Sequence, residues 1–292
     1  MSVAEAVPAV GPAGAHGVPA TPRRLVSTRF LRSELGMVFR RRRNQLAVGV
    51  LCLVPVLIGV AIKLSGSGDG PPFVSDITEN GIFVAFASLT AVLPLFLPLV
   101  VAVVSGDAVS GEAQLGTLRY LLAVPVDRTR MLAVKYAGIV AFCFAGALAV
   151  AATGAIIGLA MFPSSTATLL SGDEVSTLNT TGRLLLVALY IGMCMAGLGA
   201  IGLFISTLTE VPVAAMTATA TAAVVSEVLD NLPQTEVLHP YLFSDVWLDF
   251  GSLVRSPIDW QALNHGMVVT GVYVLLFLSM AWARFTGKDI SG

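Results

Sequence analysis

The sequence predicts an all-α polytopic membrane protein. We expect six transmembrane helices, an N-terminal amphipathic interfacial helix, and short outer re-entrant or interfacial helices between spans five and six. Only 12% of the 292 residues are charged and 55% are apolar, whereas soluble domains carry about 25% charged residues. The mean hydropathy is +0.84. The apolar residues also collect in uncharged runs of the roughly 20 residues that a helix needs to cross a bilayer.

Six such runs define the predicted spans, of which the fifth is short and rich in threonine. They lie near residues 46–64, 82–105, 132–162, 184–208, 211–229 and 265–284. The second span contains Pro94 and Pro98, which predict either a kink at a moving gate or a plain adaptation of packing. The small residues Gly154 and Gly158 in the third span permit close helix contact. We interpret this contact as packing within the subunit rather than as a dimer seam.

The chain before the first span divides into two parts. Residues 1–22 are rich in Ala, Pro and Gly and lack an apolar core, which predicts a disordered cytoplasmic tail rather than a signal peptide. Residues 23–43 interleave apolar side chains with arginine and contain no proline, which is typical of a basic amphipathic helix at a membrane surface. A retention signal without fixed structure is the alternative. Residues 44–292 form the predicted six-span domain.

The distribution of basic residues predicts the orientation of the chain. Fourteen of the 17 Lys and Arg residues lie in the N-terminal segment, the region after the second span and the C-terminal tail. The opposite side carries three, together with ten carboxylates. Because basic residues are retained on the cytoplasmic side, we expect both termini in the cytoplasm of a multi-pass cell-membrane protein.

Several classes of function are disfavoured by the sequence. A formal net charge of −1 argues against a nucleic-acid binder. All three cysteines lie within apolar runs, and the isolated pair Glu236 and His239 is a weak metal signal. No Gly-x-x-x-x-Gly-Lys-Ser/Thr stretch is present. We therefore expect no cofactor, metal or catalytic site in this chain, and a source of energy on another subunit.

The region after the second span, residues 106–135, carries the most specific pattern. Thr117 is suited to cap a short helix that ends before Pro125. Three leucines of this helix share one face at i, i+3 and i+4 spacing: Leu118, Leu121 and Leu122. Such a stripe at the cytoplasmic surface needs a partner to cover it. Asp107 and Glu112 precede it and are expected to place charge beside it in a loop.

This region resembles the cytoplasmic-loop signature of ABC-type exporter permeases of the type-2 family. The residues that carry the resemblance are Asp107, Glu112, Gly116, Thr117, Leu118, Arg119, Leu122, Pro125, Val126, Arg128 and Lys135. The C-terminal sequence from Phe285 to Ile290 resembles the usual ending of that family. The aromatic segment with Tyr241, Trp247 and Trp260 resembles the family's outer segment.

The resemblance implies a six-helix permease that pairs with a second permease, as a homo- or heterodimer, and with two separate ATPase subunits that bind ATP and Mg²⁺. It implies that the N-terminal helix and the loop 106–131 dock on the ATPase. The resemblance carries this role to Glu112, Gly116, Thr117 and Arg119. The leucine stripe and the charge beside it add further predicted coupling residues, namely Asp107, Leu118, Leu121 and Leu122. Membrane lipids are further expected partners. A membrane scaffold or assembly factor without transport activity is the alternative function.

Overall fold

A computed structural model describes residues 28–65, 80–114, 128–162, 167–168, 174–175 and 177–287. The described helices are α1 (Thr28–Arg40), α2 (Arg42–Ser65), α3 (Phe83–Val92), α4 (Phe96–Gln114), α5 (Arg128–Met161), α6 (Thr177–Leu208), α7 (Pro212–Asp230) and α8 (Trp260–Gly287). Two residues each of β1 (Ala167–Thr168) and β2 (Glu174–Val175) pair antiparallel between α5 and α6. Three 3₁₀ helices join α7 to α8: η1 (Pro233–Thr235), η2 (His239–Tyr241) and η3 (Asp245–Val254).

The prediction of an all-helical protein with six membrane-spanning helices is confirmed. In the described part of the chain, α2, α4, α5, α6, α7 and α8 are long and apolar enough to cross a bilayer. Helix α6 is the most buried of these and packs against α4, α5, α7 and α8. The most exposed are α8 and α2. The fold therefore has α6 at its centre and leaves apolar faces of the outer helices uncovered.

The second predicted span, 82–105, is not one continuous helix. It divides into α3 and α4 at a turn over residues 93–95. Pro94 lies in that turn, where it has no N–H to donate and its ring would clash with the carbonyl of Thr90. Pro98 is tolerated because it occupies the first turn of α4, and α2 continues through Pro55. The spanning helix is α4, which extends beyond the predicted end to Gln114.

Close packing of α3 against α5 depends on the two glycines of the third span. A Cβ atom on Gly158 would overlap the carbonyl oxygen of Gly81, and one on Gly154 would lie 2.6 Å from the Cα atom of Ala85. Backbones approach this closely only where small residues face each other. The interpretation of Gly154 and Gly158 as packing residues within the subunit is confirmed.

This contact predicts that Gly158→Ala destabilises the protein. The added methyl group has no space beside Gly81, and overpacking of a tight interface costs about 1–3 kcal/mol. The matched control is Gly271→Ala in α8, where a Cβ atom meets nothing within 4 Å. Thermal unfolding in detergent should give a lower midpoint for Gly158→Ala and an unchanged or slightly higher one for Gly271→Ala. Equal midpoints for the two variants would contradict this packing.

Candidate functional site

The junction between α1 and α2 is the first component of the site. Side chains at the start of α2 donate hydrogen bonds to the last carbonyls of α1: Asn44 Nδ2 to Val38 O at 2.8 Å and Gln45 Nε2 to Phe39 O at 3.1 Å. These carbonyls have no partner within a helix that ends at Arg40. Helix α1 also packs against α5, where a Cβ atom on Gly138 would lie 3.4 Å from Glu34 Cγ and 3.5 Å from Val38 Cγ2. The two helices are thus joined at a fixed corner.

Asp107 on α4 accepts hydrogen bonds from two arginines at this corner. Its Oδ2 atom bonds Arg41 Nη1, and it bonds Arg43 Nη2 at 2.9 Å. The Asp107 side chain is only 10% exposed, whereas both arginines are partly open to solvent. A carboxylate is retained at a buried position only where cations and hydrogen bonds compensate its desolvation. The α1–α2 corner is therefore held against α4.

Lys135 on α5 completes the site from the other side. Its Nζ atom donates to Glu112 Oε1 on α4 at 2.6 Å and lies 3.6 Å from Glu34 Oε1 on α1. The exposed fractions of these side chains are 3% for Lys135, 8% for Glu34 and 13% for Glu112. Lys135 consequently links α1, α4 and α5 through two buried ion pairs. We call the six residues Glu34, Arg41, Arg43, Asp107, Glu112 and Lys135 the charged cluster.

The charged cluster surrounds a small cavity. Its volume is about 30 Å³, room for one or two water molecules. Asn44 lines it, and the buried Oδ1 atom of Asn44 has no hydrogen-bond partner in the described part of the chain. A bound water would satisfy this acceptor. With three cations and three carboxylates, the cluster is balanced in charge.

A serine on the central helix α6 bonds the backbone of α4 close to Asp107. Ser206 Oγ donates to Gly106 O at 2.7 Å and accepts from the backbone N–H groups of Val109 and Ser110, each at 3.0 Å. The hydroxyl group of Ser206 is therefore inserted among the backbone hydrogen bonds of α4 and holds that turn of the helix. Helix α4 is thereby tied to α6 within one turn of Asp107.

The end of α8 lies beside the start of α5. Arg128 Nη1 donates to Thr286 O at 3.0 Å, and Trp282 Nε1 donates to Thr129 Oγ1 at 2.9 Å. The arginine satisfies carbonyls that the last turn of a helix leaves open. Together with the charged cluster, these bonds gather the ends of α1, α4 and α8 and the starts of α2 and α5 at one end of the bundle.

The opposite end carries the segment between α7 and α8. Tyr190 Oη donates to Val246 O at 2.9 Å, and Tyr273 Oη donates to Tyr241 O at 2.9 Å. The ring of Phe243 contacts Tyr273, with ring centroids 5.5 Å apart. The 3₁₀ helices are consequently fastened onto α6 and α8 by backbone acceptors and aromatic contacts.

One carboxylate of this segment is perturbed by its surroundings. Burial, together with the neighbouring carboxylate of Asp245, raises the pKa of Asp249 to about 6, against a smaller opposing effect of His265. The folded state therefore binds this proton more readily than the unfolded chain does. The contribution of Asp249 to stability accordingly increases as the pH falls from about 6 toward the ordinary value of an aspartate.

Two of the predicted coupling residues lie in the described part of the chain, and six lie outside it. The expectation that Asp107 and Glu112 lie in a loop is wrong, because both lie in α4. Glu112 is also not the peripheral charge that its sequence position suggests, since it pairs with Lys135. The remaining predicted residues lie outside the described residues: Gly116, Thr117, Leu118, Arg119, Leu121 and Leu122. The described chain resumes at Arg128, seven residues before Lys135 on α5.

Sequence reasoning missed four members of the charged cluster. The sequence pattern assigns Arg41 and Arg43 to orientation and to the basic amphipathic segment, assigns Lys135 to orientation and to the family resemblance, and gives Glu34 no role. One signal was available for Glu34, which is the only carboxylate among residues 23–43. The sequence does not indicate which base pairs with this lone acid.

The fold and the position of the charged cluster define a polytopic membrane protein whose N-terminal helix is tied to helices α4 and α5. The family model described as ABC-2 family transporter protein matches residues 34–239. This range is more than half of the chain, and the chain belongs to that family. It is therefore a permease component of an ABC transporter, and the resemblance found in the sequence is confirmed. No curated protein matches the sequence.

Proposed function

We propose that this chain is the membrane subunit of an ATP-driven exporter, and that separate ATPase subunits act on it through residues 106–131. The observation that carries this proposal is the charged cluster. Lys135 joins α1 to Glu112 on α4 and is itself part of α5. Helices α4 and α5 are those that flank residues 115–127. A force applied to that segment would therefore act on three helices at once.

A movement of residues 106–131 would be passed to the membrane-spanning helices through contacts of α4. Ser206 bonds the backbone of α4 close to Asp107, so a displacement of α4 would be passed to the central helix α6. Alternating exposure of a path between the helices is the mechanism that suits this arrangement. ATP and Mg²⁺ would be bound by the partner subunit.

The orientation and assembly are part of the proposal. The asymmetry of basic residues favours a cytoplasmic location for both termini and for the charged cluster. A second permease, identical or different, would pair with this one. Gly154 and Gly158 pack against other residues of the same subunit. We therefore expect the partner permease to contact an exposed apolar face of α2, α7 or α8.

The energy source provides a direct test. The purified chain, free of other subunits, should hydrolyse no ATP, because its sequence contains no nucleotide-binding loop. A complex isolated in mild detergent should hydrolyse ATP and lose this activity when the phosphate-binding lysine of the partner ATPase is replaced. Transport that follows a pH gradient in vesicles without any ATPase subunit would contradict the proposal.

A further inference from the structure

The four consecutive arginines at the α1–α2 corner divide into two pairs. Arg41 and Arg43 bond Asp107. Arg40 and Arg42 are exposed, and neither has a carboxylate within ion-pairing distance among the residues that the structure describes. The three carboxylates of the charged cluster are already matched by three cations. Within the described residues, Arg40 and Arg42 therefore have no anion that neutralises them.

Arg42 lies on the exposed apolar face of α2. The exposed apolar residues of that face are Leu46, Val50, Leu53 and Leu57, which follow one another at helical spacing of three or four residues. Arg42 precedes Leu46 by four residues and continues the same face. Four residues of helix rise about 6 Å, which is the step from the hydrocarbon edge into the headgroup layer.

Arg40 is beside an apolar surface of α1. Met37 is 44% exposed and Phe39 is 36% exposed, and both occupy the last turn of α1 with Arg40. An exposed apolar turn that carries arginine lies at the boundary between hydrocarbon and headgroups. The guanidinium groups of Arg40 and Arg42 thus reach the headgroup layer from two helices that meet at one corner.

We propose that Arg40 and Arg42 bind the headgroup of an anionic phospholipid at the α1–α2 corner. The guanidinium group presents paired N–H donors that match phosphate oxygens. Arg41 and Arg43 take no part, because Asp107 occupies them. A lipid held here stabilises α1 in the position that Glu34 and Lys135 define. This site exists whichever subunit supplies the energy for transport.

The test uses the full chain in a neutral detergent, titrated with phosphatidylglycerol while thermal unfolding is followed. Phosphatidylcholine and inorganic phosphate form separate arms. Each arginine near an anionic surface contributes a factor of about five to affinity. Arg40→Gln/Arg42→Gln should therefore weaken the affinity for phosphatidylglycerol about 25-fold. The control Lys63→Gln/Arg255→Gln removes two exposed charges elsewhere and should change it less than about twofold.

The variant Arg41→Gln/Arg43→Gln separates the two pairs. It should lower the unfolding midpoint without lipid, since Asp107 loses both partners, and should retain the affinity for phosphatidylglycerol within about twofold. In the wild-type protein, raising salt from about 50 to 500 mM should weaken phosphatidylglycerol binding and leave phosphatidylcholine unaffected. Unchanged affinity in Arg40→Gln/Arg42→Gln, an equal response to phosphatidylcholine, or saturation by inorganic phosphate alone would overturn the proposal.

Discussion

Replacing Lys135 by methionine should destabilise the protein by about 3–5 kcal/mol, because it leaves two buried carboxylates without their cation. Glu34 and Glu112 are both less than 15% exposed and are the partners of Lys135 on α1 and α4. Methionine has nearly the same length, so the loss of charge dominates the effect. Thermal unfolding in detergent measures the change, and amide hydrogen exchange should show earlier opening of α1.

Two further variants distinguish the loss of the ion pair from a general effect of mutation. Lys63→Met removes an exposed lysine at the end of α2 and should cost no more than about 1 kcal/mol. The triple variant Lys135→Met/Glu34→Gln/Glu112→Gln removes all three charges. Replacement of every member of a buried ion pair or triad is often close to neutral. A triple variant as unstable as Lys135→Met would contradict this account of the cluster.

Replacing Leu121 and Leu122 by aspartate should release the ATPase subunit. Burying each leucine against a partner is worth about 1.5–3 kcal/mol before ordering costs. Loss of both contacts should weaken association more than about 100-fold. Co-purification stoichiometry in mild detergent measures the release. Thermal unfolding of the same variant should give a midpoint close to that of the wild type.

The matched control places the same substitutions at the other end of the molecule. Val237 is 83% exposed and Leu238 is 49% exposed in the segment after α7, so Val237→Asp/Leu238→Asp should retain the ATPase. If the leucines instead cover the permease's own helices, Leu121→Asp/Leu122→Asp would lower the unfolding midpoint. A well-folded variant that keeps its ATPase at wild-type stoichiometry would refute a docking role for these leucines.

The number of spanning helices could be predicted because hydropathy over about 20 residues is a local property of the sequence. For Pro94 the sequence predicts either a kink or an adaptation of packing and not a complete turn, since a proline in a span is tolerated wherever neighbours satisfy the freed carbonyl. The choice between a kink and a complete turn depends on the packing of α3 against α5. That packing involves Gly81 and Gly158, which are 77 residues apart in the sequence.

The charged cluster could not be derived from local sequence for a similar reason. Asp107 and Glu112 look like the start of a loop because isolated carboxylates are costly in an apolar helix. In the fold, cations from the α1–α2 corner and from α5 compensate that cost, and α4 continues to Gln114. Sequence alone gives the number of charges and predicts their side of the membrane. The tertiary structure determines which of them pair.

Photo-crosslinking from position 122 tests the central claim, the docking of an ATPase on residues 106–131, most directly. A photoreactive amino acid replaces Leu122, or the exposed Val237 after α7 as the control, and the full chain is irradiated in membranes of cells that naturally make it. We expect an adduct only from position 122, identified by mass spectrometry through a peptide with the nucleotide-binding loop of an ABC ATPase. Failure to capture such an ATPase from position 122, or its equal capture from position 237, would contradict the proposed coupling.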